Sequence, residues 1–462
     1  MTDAVIENRT FDEITIGESA GLTRVFSRDD MDFFALITGD AGPSLVDGAK
    51  GMAVPEPVTH GWFSSGLIAS VLGTKLPGLG TVYLEQTLRF LKPVAVGDQI
   101  TATLTARAKD SSNFQIMFDC VCVNQANERV AEGSALVRAP REKLRVPRME
   151  LPDVQLSRHQ RFRALLARTA GLKPLATAIA YPCDANAIGA AVEAAKAGLI
   201  EPILVGPADK IQAAAKAAKV DITPYRLVDA PDSEHAAAEA VAIVTRGEAA
   251  MLMKGSLHTD ELLHAVLSPT ANLRTERRLS HVYLFDVPSY PKPLLVTDAA
   301  VNIYPDVEDK RDIVQNAIDL AHVMGIKQPK VAILSAVETI NPKIKSTLDA
   351  ATLCKMADRG QITGGLLDGP LAFDNAISPA AAAEKGIVSP VAGQADILLV
   401  PDLEAGNMLA KQLSFLAGAD AAGVVLGARV PIILTSRADA ERTRMASCAV
   451  AVLIAQAQKI AT

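Results

Sequence analysis

Serine, arginine and aspartate stand close together at Ser436-Arg437-Ala438-Asp439, one residue, Thr435, after the apolar run Val430-Pro431-Ile432-Ile433-Leu434. A guanidinium holds an anionic group through two parallel hydrogen bonds, a hydroxyl both donates and accepts, and a carboxylate takes up a proton. The same kind of place, the first polar residues after a buried run, recurs at Lys254, His258 and Thr259, which follow Ala250-Met251-Leu252-Met253. Asn341, Asp374, Asn375 and Asn407 sit on further loops of this sort, where polar side chains either line a cleft or close turns. Plainer roles remain open for several of them. A strand-to-helix turn with a surface arginine also explains Ser436-Arg437, an N-cap explains Asp439, and Thr259-Asp260-Glu261 reads equally as a helix start. Near the other end of the chain Asp40 precedes Gly42-Pro43, which suits a turn as well as a site.

The elements that position these residues follow from the apolar pattern. From Thr177 onward, short runs such as Ile203-Leu204-Val205, Val282-Tyr283-Leu284-Phe285, Leu294-Leu295-Val296, Val331-Ala332-Ile333-Leu334 and Ile397-Leu398-Leu399-Val400 alternate with Ala-rich helical stretches. This alternation predicts mostly parallel sheet covered by helices, with ligands beyond the carboxyl ends of the strands. The N-terminal part differs. Gly61 to Leu72 is an apolar, small-residue segment long enough for a buried helix, and the alternating segments from Thr81, Gln99 and Phe114 predict antiparallel strands that wrap it. Between the two textures, Ala139 to Arg148 is charged and punctuated by prolines, which is linker chemistry.

A chain of 462 residues exceeds a single core. Its formal charge of −6, and the lack of a Lys/Arg block with interleaved aromatics, exclude a nucleic-acid partner. Arg274, Arg277 and Arg278 form one small basic cluster, suited to phosphates or to a solvated helix face. The N-terminus has neither a basic nor an apolar leader region, and no apolar run reaches membrane-spanning length. A cytoplasmic protein with no membrane partner is expected. Cys120 and Cys122 alternate on one predicted strand, while Cys183, Cys354 and Cys448 stand alone. They are expected to be small buried hydrophobes, and with the histidines dispersed no metal site is expected.

Gly39-Asp40-Ala41-Gly42-Pro43-Ser44-Leu45 resembles the Gly-Asp-x-Asn-Pro-x-His signature of the (R)-specific enoyl-CoA hydratases, the MaoC-like branch of the hotdog fold. Thr59-His60-Gly61, Leu72 to Leu84, Leu88-Arg89-Phe90 and Lys92 to Asp98 follow the hydratase pattern in order. The resemblance implies an α+β hotdog domain over 1–138. In the family the Asp and the His hold the attacking water, and backbone N–H groups near the positions of His60 and Gly61 face the thioester carbonyl. Here the Asn position is Gly42 and the His position is Leu45, which neither accepts nor donates a proton. A degenerate hydratase site is therefore expected, with a surface for acyl-CoA surviving.

After a linker over 139–156, residues 157–462 resemble the phosphate acetyl/butyryltransferase family. The matching motifs are Met253 to Thr259, Glu338 to Pro342, Ser346 to Ala350, Gly369 to Ala376, Ala395 to Asn407 and Leu434 to Asp439. The resemblance implies an α/β fold of two subdomains related to isocitrate/isopropylmalate dehydrogenase, about 157–293 with 426–462 and about 294–425. It implies transfer of an acyl group between coenzyme A and inorganic phosphate, with Ser436 at the reacting carbonyl or thiol and Arg437 on the phosphoryl charge. The family's base falls at Thr443, which cannot serve, so Asp439 or Glu441 is expected to substitute. Lys254, Thr259, Asn341, Asn375 and Asn407 are the expected substrate or CoA contacts.

The expected protein is thus a phosphate acyltransferase fused to a hotdog domain without hydratase activity. Acyl-CoA, phosphate and acyl phosphate are its partners, there is no permanently bound cofactor, and a homo-oligomer of two or more copies is expected. A bifunctional hydratase/transferase and a non-catalytic acyl-CoA-binding regulator are the alternatives.

Overall fold

The computed structural model of the chain describes residues 5–39, 61–147, 159–435 and 439–461. Asp40, Leu45, His60, Ser436 and Arg437 lie outside the described residues. The chain divides into two compact units, Met1–Leu156 and Ser157–Thr462.

The first unit contains β1 (Val5–Glu7), β2 (Ser19–Val25), α1 (Arg28–Thr38), α2 (Trp62–Thr74), β3 (Val82–Phe90), β4 (Gln99–Asp110), β5 (Gln115–Val123), β6 (Arg129–Arg138) and β7 (Arg145–Pro147). Five strands form one antiparallel sheet in the order β2-β4-β5-β6-β3. Strict alternation along β5 sends Ile116, Phe118, Cys120 and Cys122 inward, where they are fully buried. They meet Leu67, Ile68, Val71 and Leu72 of α2 in a single core. Each such large apolar side chain contributes roughly 1.5–3 kcal/mol on burial.

The segment expected to be linker is, as far as Pro147, part of this unit. Ala139 is buried, the Arg141 guanidinium lies 4.2 Å from the centre of the Phe114 ring, and β7 pairs with β1. Fully buried Asn8 donates to the carbonyls of Leu79 and Glu142 and accepts from the Leu144 amide at 2.8 Å. Prolines and charges suggested a free linker because the partners of this segment lie 136 residues away.

The second unit contains α3 (Gln160–Ala167), β8 (Leu175–Ala180), α4 (Ala185–Lys196), β9 (Ile200–Val205), α5 (Ala208–Ala218), β10 (Arg226–Val228), α6 (Ser233–Thr245), β11 (Met251–Lys254), α7 (Thr259–Leu267), β12 (Ser280–Asp286) and β13 (Leu294–Thr297). It continues through α8 (Val307–Val323), β14 (Lys330–Leu334), α9 (Lys345–Asp358), β15 (Leu366–Leu371), α10 (Phe373–Ile377), α11 (Pro379–Glu384) and β16 (Ile397–Leu399). It ends with α12 (Leu403–Phe415), β17 (Asp420–Leu426), β18 (Ile432–Ile433) and α13 (Glu441–Ala461). Aspartates cap α4, α6, α8 and α12 by accepting from a backbone amide of the first turn.

All eleven strands form one sheet in the order β10-β9-β8-β11-β18-β17-β12-β13-β16-β14-β15. The sheet is continuous across the subdomain boundary expected at 294. Two parallel blocks, β10 to β18 and β13 to β15, flank the pair β17 and β12, and every junction around that pair is antiparallel. The two blocks therefore run in opposite directions. The mostly parallel expectation holds within each block and fails in the middle, because strand direction is not encoded in an apolar run.

One face of the sheet carries a single core that runs through both blocks, packing Val282, Leu284, Ala422, Val424 and Ile433 under α8 and α13. The other face carries two separate cores, one beneath α6 and α7 and one beneath α10, α11 and α12. Of the five cysteines, Cys120, Cys122 and Cys448 are buried as expected, whereas Cys183, in the loop between β8 and α4, and Cys354, within α9, are only partly so. Among the described residues no helix is long and apolar enough to cross a membrane.

Candidate active site

Between the two cores of the second face lies the strand pair β12 and β17. Alternation puts His281, Tyr283 and Phe285 of β12 on that face, with Gly423 of β17 beside them. The His281 and Tyr283 rings meet edge-on at 4.4 Å, and Tyr283 and Phe285 at 5.4 Å. This aromatic row is the floor between the two blocks.

One wall is built from the carboxyl ends of the first block. β18 ends at Ile433, and buried Leu434 and Thr435 lead into the motif. Asp439 reappears on the far side, and its negative charge adds to burial in raising the Tyr283 hydroxyl above its ordinary range. Asp439 stands two residues before α13. Neighbouring β11 ends at Lys254, a residue only 6% exposed, whose ammonium donates to the Gly255 carbonyl at 3.3 Å.

Gly255 makes this close approach of loops possible. A Cβ there would sit 2.4 Å from the Ala180 carbonyl oxygen and 2.5 Å from that of Tyr181. The loops after β8 and β11 are stitched together at this point: the Gly255 amide donates to Ala180, and the Ser256 amide and hydroxyl both donate to the Tyr181 carbonyl. Thr259 opens α7, preceded by His258 as a cap that makes no side-chain hydrogen bond.

The opposite wall is the loop after β13. Asp298, 2% exposed, accepts from the amides of Ala300, Val301 and Asn302 and from the Asn302 side chain. Asn302 passes the network on to Arg278 through a 2.8 Å bond, and Arg278 also pairs with Asp309. Arg277 pairs with Asp319. Two members of the basic cluster are thus engaged with acidic partners on α8.

The remaining sequence candidates occupy the carboxyl ends of the second block. Asn407 on α12 donates to the Ala299 carbonyl at 3.2 Å, which ties it to the Asp298 loop. Asn341 serves its own turn, its side chain accepting from the Lys343 amide and its backbone bracketing Thr347. Asn375 is fully buried, and neither atom of its amide has a partner among the described residues. Because the two blocks run in opposite directions, Asn341, Asn375 and Asn407 leave the sheet at the strand end opposite to Lys254 and Thr259. Gly61, at the start of α2 in the first unit, would place a Cβ 2.6 Å from the Phe90 ring.

His281, Asp298 and Asn302 were missed from sequence. A signal existed for Asp298, which follows the apolar run Leu294-Leu295-Val296 after a single threonine, as Ser436 follows Leu434 after Thr435. His281 lies inside an apolar strand, where pattern alone does not single it out. The arrangement as a whole offers a buried ammonium, a carboxylate and a hydrogen-bonded acidic loop on opposite sides of an aromatic floor. That is a setting for holding an anionic group and moving a proton in low dielectric.

Comparison with known proteins agrees with the division into units. Residues 234–452 match the family described as Phosphate acetyl/butaryl transferase, and residues 10–121 match MaoC like domain. A phosphate acetyltransferase of Rhizobium meliloti is 60% identical over 301 residues, covering 65% of this chain and 95% of the relative. A phosphate butyryltransferase of Clostridium acetobutylicum is 42% identical over 284 residues, covering 62% of this chain and 94% of the relative. Among solved structures, a branched-chain phosphotransacylase from Enterococcus faecalis is 31% identical with a TM-score of 0.54, covering 61% of this chain and 99% of that one.

Proposed function

The chain belongs to the phosphate acetyl/butyryltransferase family, and from that premise we propose how its residues move an acyl group between coenzyme A and inorganic phosphate. The observation that carries the activity is the identity to a phosphate acetyltransferase along nearly the whole length of that enzyme. The chemistry asks for two things. The phosphoryl group needs a fixed positive partner while charge shifts onto it, and the thiol needs to lose its proton, because its pKa of about 8.5 leaves it mostly protonated at neutral pH.

Arg437 takes the phosphoryl oxygens in a two-pronged contact. The thiol sulfur attacks the carbonyl carbon of the acyl phosphate, the C–S bond forms and the C–O bond to phosphate breaks. Asp439 accepts the thiol proton, phosphate departs held by Arg437, and the reverse reaction retraces these steps. Ser436 hydrogen-bonds the reacting carbonyl and forms no covalent intermediate. The position of Asp439 beside the aromatic floor supports its role, since Thr443 at the family's base position has no acid–base capacity.

The first unit is a MaoC-like hotdog scaffold that presents an acyl-CoA-binding surface without hydratase chemistry, because Leu45 replaces the proton-transferring histidine. A buried α2 under a five-stranded antiparallel sheet supports the hotdog description. The two cores on one face of the large sheet support the two-subdomain, dehydrogenase-like description.

The test is Arg437→Ala in the full chain, with folding checked by circular dichroism. Loss of a preorganised charge donor is expected to cost roughly 10²–10³ in rate. Arg437→Lys is expected to recover little, since a point charge does not reproduce the planar fork. A folded Arg437→Ala variant with wild-type rates removes the residue from the mechanism.

A further inference from the structure

His281 is fully buried, and neither Nδ1 nor Nε2 makes a hydrogen bond with a described residue. Such a group is costly: an unsatisfied buried donor or acceptor loses its water and gains nothing in exchange, whereas an apolar side chain of the same shape costs no such penalty. Its surroundings show what it faces. The ring lies over Gly423, where a Cβ would sit 3.0 Å from Nε2 and 2.8 Å from the Leu434 carbonyl oxygen. Imidazole and carbonyl therefore converge on one spot that only glycine leaves open. Tyr283 braces the ring from the side at 4.4 Å. The other polar neighbour, the Asp298 carboxylate, already accepts four hydrogen bonds from its own loop.

We infer that His281 is a positioning residue for the segment that begins at Leu434 and carries Ser436 and Arg437, holding the Leu434 carbonyl with an imidazole N–H during acyl transfer. The inference rests on the acyl-transfer role of Ser436 and Arg437 proposed above. Burial pushes the imidazole down to about 4, although the Asp298 charge and the Leu434 carbonyl oppose it, so the ring works in its neutral form, with one N–H to give. Leu434 is bonded in chain to Thr435, and Ser436 follows. A carbonyl fixed at 434 fixes the Leu434–Thr435 peptide through which the chain enters the motif, and a misplacement of about 1 Å at such a site can cost 10²-fold in rate.

The experiment compares His281→Leu, His281→Gln and Gly423→Ala with wild type in steady-state acyl transfer between acetyl-CoA and phosphate, and runs Arg437→Ala alongside. For His281→Leu, the expected result is a kcat lowered by roughly 10–100-fold with KM for acetyl-CoA nearly unchanged and thermal stability equal to wild type or higher. His281→Gln, which retains an N–H donor, recovers most of the loss. A folded His281→Leu variant with wild-type kcat overturns the inference, as does a loss seen only in KM or a glutamine variant no better than leucine. If His281→Leu does not fold, the other two variants decide. Gly423→Ala keeps the imidazole but crowds it away from Leu434, so it must lose kcat while His281→Gln stays near wild type, and a wild-type kcat in Gly423→Ala overturns the inference. Full activity in Arg437→Ala would instead show that the underlying reading of the motif has failed.

Discussion

The ion pair between Lys310 of α8 and Asp349 of α9 gives a prediction whose sign and order follow from burial. The Lys310 ammonium lies 2.7 Å from Asp349, and the two side chains are 4% and 9% exposed. Lys345 approaches the same carboxylate at 3.0 Å but is 68% exposed. Asp349→Ala leaves the buried Lys310 charge without a carboxylate, which costs about 3–5 kcal/mol. Lys310→Met leaves Asp349 still facing Lys345, so only one charge-assisted hydrogen bond is lost, worth about 1.5–3 kcal/mol. Replacing both, as Lys310→Met with Asp349→Leu, is expected to recover most of the Asp349→Ala loss, because no unpaired charge then remains. Urea unfolding followed by far-UV circular dichroism reads the effect; with slopes of about 3 kcal/mol/M, Asp349→Ala lowers the midpoint by roughly 1–2 M. The single tryptophan, Trp62, lies in α2, so its fluorescence reports the first unit separately. Asp349→Ala proving no worse than Lys310→Met, or a double variant no better than Asp349→Ala, would show that an unpaired buried charge does not set the order.

Further outcomes are expected. Burial lowers His281 from 6.5 to about 4, so the unfolded chain binds more protons between these values and stability falls as pH drops from about 6.5 towards 4. The effect is on the order of 3 kcal/mol at most, and stability profiles of wild type and His281→Leu should run parallel above pH 7 and diverge below it, identical slopes throughout excluding the imidazole as the source. Strand β3 is an edge of its sheet and exposes Val82, Tyr83, Leu84 and Phe90, so sedimentation is expected to show at least a dimer that Leu84→Lys weakens; a monomer at micromolar concentration contradicts this. Crotonyl-CoA hydration is expected to be negligible in the full chain, since general acid–base help is worth roughly 10²–10⁴-fold and Leu45 supplies none; robust turnover would show that another residue does.

Much of this was legible from local pattern. The alternation in β4 and β5, the apolar helix α2 and the runs that became β9, β11, β14 and β16 all announce themselves through side-chain periodicity. Leu175–Ala180 and Leu366–Leu371 became β8 and β15 without such a signal, being rich in alanine, glycine or proline and held by parallel neighbours on the sheet. The reversal of strand direction at β17 and β12 is equally silent, yet it decides which loops face one another. Lys254 was found because it directly follows an apolar run. His281 was not, because its importance comes from Gly423 and Leu434, more than 140 residues away in sequence and adjacent only in the folded sheet.

What remains to be measured is acyl transfer between coenzyme A and phosphate by this chain. Its most direct measurement is coenzyme A release from acetyl-, propionyl- and butyryl-CoA by the purified full-length protein, with and without inorganic phosphate, together with detection of the acyl phosphate formed. Phosphate-dependent release of coenzyme A, stoichiometric with acyl phosphate, is expected for at least one of these short acyl groups and without added metal. Coenzyme A release that is absent for every acyl group, or that proceeds equally well without phosphate, would contradict it.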